Sequence, residues 1–129
     1  MSSDPESAGT VLLVDDDENC RKLFQRVLRA KGWTVCGASN AREAASVYAA
    51  VRPDVVVTDL LMPGGDGNML IAELQKLDPG VCIVAITGVS PKDPRVAKAI
   101  EGGAQRVLTK PFDGTTLINA IEHALHPTS

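Results

Sequence analysis

The chain has 129 residues, of which 44% are hydrophobic and 3% aromatic, and its formal net charge is −3 with a sequence pI near 5.3. This length favours a single domain with its own core, and the acidic balance argues against a nucleic-acid-binding or anionic membrane surface. The polar N-terminus and the lack of a long apolar run predict neither a signal peptide nor a membrane span, so we expect a cytoplasmic protein. The cysteines lack metal-ligand spacing and are expected as buried free thiols, at Cys20, Cys36 and Cys82.

Five apolar segments predict β-strands, and the segments between them show the spacing of amphipathic helices. The predicted strands cover residues 11–14, 33–38, 54–59, 81–87 and 106–110. The first helix follows the first strand and stops at Gly32, where glycine ends a helix readily. Its predicted core positions are Cys20, Leu23, Phe24, Val27 and Leu28.

The later helices are predicted from capping and turn residues. Asn40 followed by Glu43 predicts the start of a second helix that runs to about residue 51, and Asp113 predicts the start of the last helix. Turn residues at 62–67 precede a predicted helix over 68–77, and another over 95–101 ends at two glycines. We expect residues 1–9 to form a disordered tail, residues 10–126 the domain, and residues 127–129 a short C-terminal tail.

This alternation of strands and helices predicts an α/β fold of three layers, in which helices cover both faces of a parallel sheet. The four-residue run Val11 to Val14 has no polar side chain, as expected of a strand buried on both faces. In such sheets the connections are right-handed, and functional groups lie at the carboxyl ends of the strands. The residues that follow the strands are therefore the first candidates for a functional site.

Three consecutive acids follow the first predicted strand, at Asp15, Asp16 and Asp17. Two carboxylates about 4 Å apart repel by roughly 4 kcal/mol at an effective dielectric constant near 20. Asp17 is predicted to cap the first helix, which leaves two acids whose repulsion a cation could offset. Carboxylate oxygens suit a hard cation such as Mg²⁺.

Three further polar residues end other strands at the same predicted edge: Asp59, Thr87 and Lys110. Each alone could be an ordinary turn or surface residue, but random placement would scatter such groups over both edges. A carboxylate can accept a phosphoryl group, and phosphoryl transfer needs mainly positioning and neutralisation of negative charge. A metal ion, a lysine and a hydroxyl group meet those needs.

Four stretches carry these residues: "LLVDDDENCRKLF", "VVVTDLLMPGGDG", "VAITG" and "GAQRVLTKPF". In this order and spacing they resemble the receiver domains of two-component response regulators over nearly the full chain. The resemblance implies a CheY-like, flavodoxin-like fold, with a doubly wound five-stranded parallel sheet of strand order 2-1-3-4-5 and five helices. It also implies a phosphorylated signalling domain that performs only self-phosphotransfer and slow autodephosphorylation, and is otherwise not an enzyme.

The resemblance implies a magnesium site with a defined ligand set. Asp59 is the implied phosphoacceptor and a metal ligand, together with Asp16 and the backbone carbonyl of Leu61. Asp15 is implied to reach the metal through a water molecule, and Mn²⁺ can substitute for Mg²⁺ as the cofactor.

The remaining implied roles concern phosphoryl binding and switching. Lys110 is implied to pair with the phosphoryl group, Thr87 to supply the switch hydroxyl, and Lys110–Pro111 to form a cis peptide bond, which proline permits. Val107 departs from the resemblance, because relatives often have an aromatic residue there that moves inward on activation. The apolar residues Leu61 and Val89 occupy positions that govern the attack of water on the phosphoryl group.

The implied phosphodonor is a histidine kinase or a histidine phosphotransfer protein. The implied downstream protein binds the face formed by helix four, strand five and helix five. We expect no contact of this domain with nucleic acid or membrane, and a monomer or a weak phosphorylation-dependent dimer.

Three other functions compete with this interpretation of the sequence. A haloacid-dehalogenase-type phosphatase could use Asp15 and Asp17 as nucleophile and acid, but Asn19 and the lack of a cap insertion argue against it. A flavodoxin-like cofactor site is rejected, because three aspartates would repel the phosphate that its first loop must bind. A non-phosphorylated pseudo-receiver would be favoured by the loss of a site residue, and none of the expected residues is missing.

Overall fold

A computed structural model of the chain describes residues 8–62 and 67–126. Strands and helices alternate along these residues, as the sequence predicts. The strands are β1 (Gly9–Val14), β2 (Trp33–Ala38), β3 (Val55–Asp59), β4 (Ile83–Thr87) and β5 (Arg106–Thr109). The helices are α1 (Glu18–Ala30), α2 (Ala41–Val51), α3 (Gly67–Leu77), α4 (Pro94–Glu101) and α5 (Gly114–Leu125).

The five strands form one parallel sheet in the order β2-β1-β3-β4-β5, which confirms the predicted topology. The central strands β3 and β4 are buried at every position, because they are covered on both faces. Their valine and isoleucine content suits this setting, since β-branched side chains pack well on a pleated surface. The predicted burial of the strand over 54–59 is thereby confirmed for residues 55–59.

Two apolar clusters lie on opposite faces of the sheet. One face packs against α2, α3 and α4 through residues such as Tyr48, Leu70 and Ala99. The other face packs against α1 and α5 through residues such as Phe24 and Leu117. The three-layer α/β/α arrangement is thus confirmed. The helices cover the two faces of the sheet, and the loops lie along two edges: one where the strands begin and one where they end.

The predicted helix caps are confirmed. Asp17 accepts hydrogen bonds from the backbone N–H groups of Asn19 and Cys20 at the start of α1. Asn40 caps α2 by accepting from the Glu43 N–H, and Asp113 caps α5 in the same way. These bonds satisfy N–H groups that the first turn of a helix cannot pair internally.

Several boundaries and burial predictions differ from the structure. Ala8 and Gly9 belong to the fold although both lie in the predicted tail, because the Ala8 N–H donates to the Gly32 carbonyl and Gly9 opens β1. Leu23 is 54% exposed, since α1 turns it away from the sheet. All three thiols are free, but they are half-buried and not fully buried.

Some predictions fall on residues that the structure does not describe. These are most of the tail (1–7), the turn residues 63–66 and the C-terminal residues 127–129. Among the described helices, none combines the length and the apolar character that crossing a membrane requires.

Candidate functional site

The register of the sheet brings the predicted site residues to one edge. Val14 pairs with Thr58, so Asp15 and Asp59 each come one residue after neighbouring positions of β1 and β3. Thr87 ends β4 opposite Thr109, which places Lys110 directly after that pair. The carboxyl ends of four strands thus carry the groups that the sequence singled out. We call this the carboxyl edge.

Three carboxylates at the carboxyl edge form a cluster. One oxygen atom from each of Asp15, Asp16 and Asp59 lies within 4.8 Å of the other two. Asp15 and Asp59 are only 2% and 7% exposed, whereas Asp16 is exposed. An all-oxygen set of like charges is the donor set that a hard divalent cation prefers, so these residues fit Mg²⁺. They form the one such cluster among the residues described.

Local hydrogen bonds hold Asp15 in the cluster. Its Oδ1 accepts from the Asp17 N–H at 2.9 Å, and its backbone carbonyl accepts from Arg21 Nη1 at 2.6 Å. Burial raises the pKa of Asp15 above its ordinary value, although the Asp17 N–H and the charge of Lys110 act in the opposite direction. Arg21 was not identified from the sequence. Its place one turn into α1, six residues after Asp15, is the only signal that could have suggested it.

Lys110 lies against two of the three carboxylates. Its Nζ is 3.3 Å from Asp59 Oδ2 and 3.9 Å from Asp15 Oδ2. Burial works against the ammonium, but the charges of Asp59 and Asp15 outweigh it, so the pKa of Lys110 lies above its ordinary value. The other Asp59 oxygen, Oδ1, accepts from the Leu61 N–H at 3.1 Å. The lysine is therefore charged and directed at the carboxylate that was predicted as phosphoacceptor.

Thr87 is completely buried at the end of β4. Its Oγ1 accepts a hydrogen bond from the Val89 N–H at 3.1 Å, which leaves the hydroxyl hydrogen available to donate. The Thr87 carbonyl accepts from the Lys110 N–H at 2.8 Å. The peptide bond between Lys110 and Pro111 is cis, as the resemblance implied.

Asp17 does not join the cluster's chemistry. Both of its hydrogen bonds go to the first turn of α1, and those N–H groups lower the pKa of its carboxyl group. The haloacid-dehalogenase hypothesis needs this residue as a general acid. A carboxylate that is held ionised as a helix cap is poorly suited to donate a proton.

Comparison with known proteins identifies relatives of this chain. The family model described as "response regulator receiver domain" matches residues 11–122. The chemotaxis protein CheY of Halobacterium salinarum is 34% identical over 118 residues, covering 92% of this chain and 98% of that protein. The transcriptional regulatory protein DctD of Rhizobium meliloti, which is named for C4-dicarboxylate transport, is also 34% identical over 118 residues. This chain spans only 25% of its length.

A solved structure gives the same result for the fold. The crystal structure of a response regulator receiver domain protein from Clostridium thermocellum superposes with a TM-score of 0.85 at 28% identity, covering 92% of this chain and 94% of that one. The sequence match extends over most of the described fold and includes the strands that carry the acidic cluster. The chain belongs to the receiver domain family of two-component response regulators.

Proposed function

We propose that Asp59 accepts a phosphoryl group from a phosphohistidine donor. A carboxylate oxygen of Asp59 attacks phosphorus and the new O–P bond forms as the P–N bond to the histidine breaks; the ring nitrogen keeps the electron pair and takes a proton from solvent, so that neutral imidazole leaves. The observation that carries this proposal is the position of Lys110, whose ammonium lies 3.3 Å from Asp59 inside a cluster of acids. A positive charge held there can neutralise the charge that spreads over the phosphoryl oxygens.

The proposed Mg²⁺ ligands are Asp16, Asp59 and the backbone carbonyl of Leu61, with Asp15 acting through a water molecule. When bound, the ion supplies charge neutralisation at the phosphoryl oxygens. The burial of Asp15 and Asp59 supports this assignment. Two buried carboxylates so near each other need more positive charge than one lysine supplies. Mn²⁺ can take the same oxygen ligands.

Replacement of Asp59 tests the proposal. We expect the purified protein to gain the mass of one phosphoryl group when it is incubated with Mg²⁺ and acetyl phosphate, and Asp59→Asn to gain none. Asp54→Asn is the matched control, because Asp54 lies at the opposite end of β3 and uses its carboxylate to accept from the Thr10 N–H. Equal incorporation in Asp59→Asn and the unmodified protein, measured by intact mass spectrometry, would contradict the assignment.

The phosphodonor is proposed to be a histidine kinase or a histidine phosphotransfer protein. The proposed output surface comprises α4, β5 and α5, and Thr87 is the proposed switch. Thr87 can donate to a phosphoryl oxygen, and the backbone after Gly88 can follow that movement. Among the described residues, apart from its two chain neighbours, none has an atom within 4 Å of where a Cβ would sit on Gly88, so this position has open space around it.

Val107 makes the output surface of this chain distinctive. It is half-buried and lines a cleft of about 410 Å³ between α4 and β5, together with Val96 and Ile100. Valine has one stiff rotatable bond and cannot report the switch by swinging a ring inward. We therefore assign the state change to the loop and helix over 88–101. Amide exchange with and without beryllofluoride tests this, and a response confined to other segments would contradict it.

The phosphorylated state is proposed to be long-lived. Leu61 and Val89 flank the acceptor and the switch hydroxyl, and their backbone N–H groups already donate to Asp59 and Thr87. Neither side chain can orient a water molecule for attack, and both can exclude one.

A further inference from the structure

The chain contains two phenylalanines, and they stack on each other. Phe24 lies in α1, and Phe112 lies in the loop between β5 and α5. Their ring centroids are 5.3 Å apart and the ring planes differ by 11°. Phe24 is buried, whereas Phe112 is half-buried. The stack joins the loop that carries Lys110 to α1, across 88 positions of sequence, as the numbers of the two residues show.

A second contact reinforces this junction. A Cβ atom on Gly114, the first residue of α5, would lie 2.8 Å from Val27 Cγ1. That distance is shorter than real side-chain contacts allow, so the backbone at Gly114 lies directly on α1. Phe112 in the loop and Gly114 at the start of α5 are thus both held against α1.

The backbone at Lys110 lies between two fixed points, the hydrogen bond to β4 and the stack of Phe112 on Phe24. On one side, its backbone N–H donates to the Thr87 carbonyl at 2.8 Å, which fixes it to β4. On the other side, Phe112 follows two residues later. The Lys110 side chain is 30% exposed, and it is the long, flexible member of the site. Its direction therefore depends on how firmly the backbone beneath it is held.

Helix α1 is in turn tied to the acidic cluster. It begins directly after Asp17, and Arg21 donates to the carbonyl of Asp15. The stack consequently connects the lysine loop to the same element that supports the acids. A shift of the loop along α1 would change the distance between the ammonium and Asp59.

We propose that Phe112, stacked on Phe24, is a positioning residue that holds Lys110 over the phosphoacceptor carboxylate. This inference rests on the proposed function of Asp59 and Lys110. If the ring served only to fill the core, its loss would lower stability without a specific effect on the lysine.

The first test measures Lys110 directly and needs no phosphorylation. Competitive labelling with an amine-reactive acetylating reagent, followed by mass spectrometry, compares the reactivity of Lys110 with that of the exposed Lys98 in the same molecule. We expect Phe112→Leu to increase the relative labelling of Lys110 severalfold, because its ammonium leaves the carboxylates. Phe112→Tyr keeps the ring and is expected to behave like the unmodified protein.

The second test measures the rate constant for phosphorylation by acetyl phosphate. We expect Phe112→Leu to lower it by about tenfold, since small misplacements of a charged group are costly in such reactions. In a Lys110→Ala background, Phe112→Leu should have no additional effect, because the residue acts through the lysine. Magnesium affinity, measured by calorimetry, should change little in Phe112→Leu.

Trp33→Leu is the matched control, since Trp33 is a buried aromatic residue of the same apolar cluster at the far end of the sheet. It should lower the melting temperature without changing Lys110 labelling.

Two outcomes would overturn the inference. One is unchanged Lys110 labelling in Phe112→Leu, and the other is an equal loss of phosphorylation rate from Phe112→Leu with and without the Lys110 side chain. Absence of any phosphorylation of the unmodified protein would instead refute the proposed function, while the labelling result would still decide the role of Phe112.

Discussion

The carboxylates at the two edges of the sheet differ in their surroundings. At the carboxyl edge, Asp15, Asp16 and Asp59 crowd together, with Lys110 as the cation beside them. At the amino edge, where the strands begin, acids are matched one by one. Asp54 accepts from a backbone N–H there at 2.8 Å.

The pairing of Tyr48 with Asp78 is the clearest example of an acid at the amino edge that is matched by partners within the chain. The buried Tyr48 hydroxyl donates to Asp78 Oδ2 at 2.8 Å, and the Gly80 N–H donates to Oδ1 of the same carboxylate. Arg52 lies over the tyrosine ring and 4.0 Å from Asp78. The amino edge is therefore complementary within the chain, whereas the carboxyl edge carries an excess of negative charge that suits an external cation. The internally paired acids and the candidate functional site therefore lie at opposite edges of the sheet.

The largest expected effect is that of metal removal on the carboxyl edge. A chelator should abolish phosphorylation by acetyl phosphate, and Asp16→Asn should weaken Mg²⁺ binding at least about tenfold, because a charged ligand is lost. Calorimetric titration measures the affinity. Asp54→Asn, at the amino edge, should bind Mg²⁺ like the unmodified protein. Full phosphorylation in the presence of the chelator would contradict the proposed metal site.

A smaller effect is expected on the lifetime of the phosphorylated state. Leu61→Asn places an amide where it can orient water, so we expect dephosphorylation to accelerate about tenfold. Leu77→Asn makes the same chemical change at an exposed position at the end of α3 and should leave the rate unaltered. Decay of phosphoprotein mass after removal of the donor gives both rates. An unchanged or longer lifetime in Leu61→Asn would argue against exclusion of water by Leu61.

Removing one negative charge from the acidic cluster should raise the free energy of unfolding. Without divalent metal, Asp15→Asn removes a buried negative charge yet keeps an oxygen that can accept from the Asp17 N–H. We expect the free energy of unfolding to rise by about 1–2 kcal/mol, and the melting temperature by about 4–7 °C. Saturating Mg²⁺ should reduce this advantage, because binding stabilises the unmodified protein. If Asp15→Asn is less stable than the unmodified protein in the presence of a chelator, repulsion between the carboxylates does not destabilise the folded protein.

The amino edge should respond to alkaline pH and not to metal. Burial, with the Asp78 hydrogen bond and charge, raises the pKa of Tyr48 to about 12. It is the sole tyrosine of the chain, so absorbance at 295 nm follows its ionisation without overlap from other phenols. The titration midpoint should fall to about 10 in urea.

The corresponding stabilisation has a defined pH range. Because the unfolded chain releases the tyrosine proton near pH 10 and the folded protein near 12, the contribution is complete below pH 10 and is lost as pH rises through 12. Tyr48→Phe should lower the free energy of unfolding at pH 7 by about 1 kcal/mol, through loss of one hydrogen bond. Phosphorylation of Tyr48→Phe should be normal. A native midpoint near 10 would mean that the hydroxyl is not held as described.

The sequence by itself determined the fold class, the sheet edge that carries the site and most of its residues. Strand and helix periodicity is a local property, and in a parallel sheet the end of every strand lies at one edge, so Asp15, Asp59, Thr87 and Lys110 could be grouped without coordinates. The caps at Asp17, Asn40 and Asp113 were equally predictable, because a capping side chain bonds to residues two or three positions away.

Only the tertiary structure decided which distant side chains meet. The stack of Phe24 on Phe112 and the bond from Tyr48 to Asp78 join separate helices and loops whose relative rotation no local pattern specifies. The burial of Leu23 was mispredicted for the same reason: helical spacing defines an apolar stripe, but the angle at which α1 lies on the sheet decides where that stripe stops being covered. Local sequence sets the elements and their ends, whereas packing between layers sets the distances on which the chemistry depends.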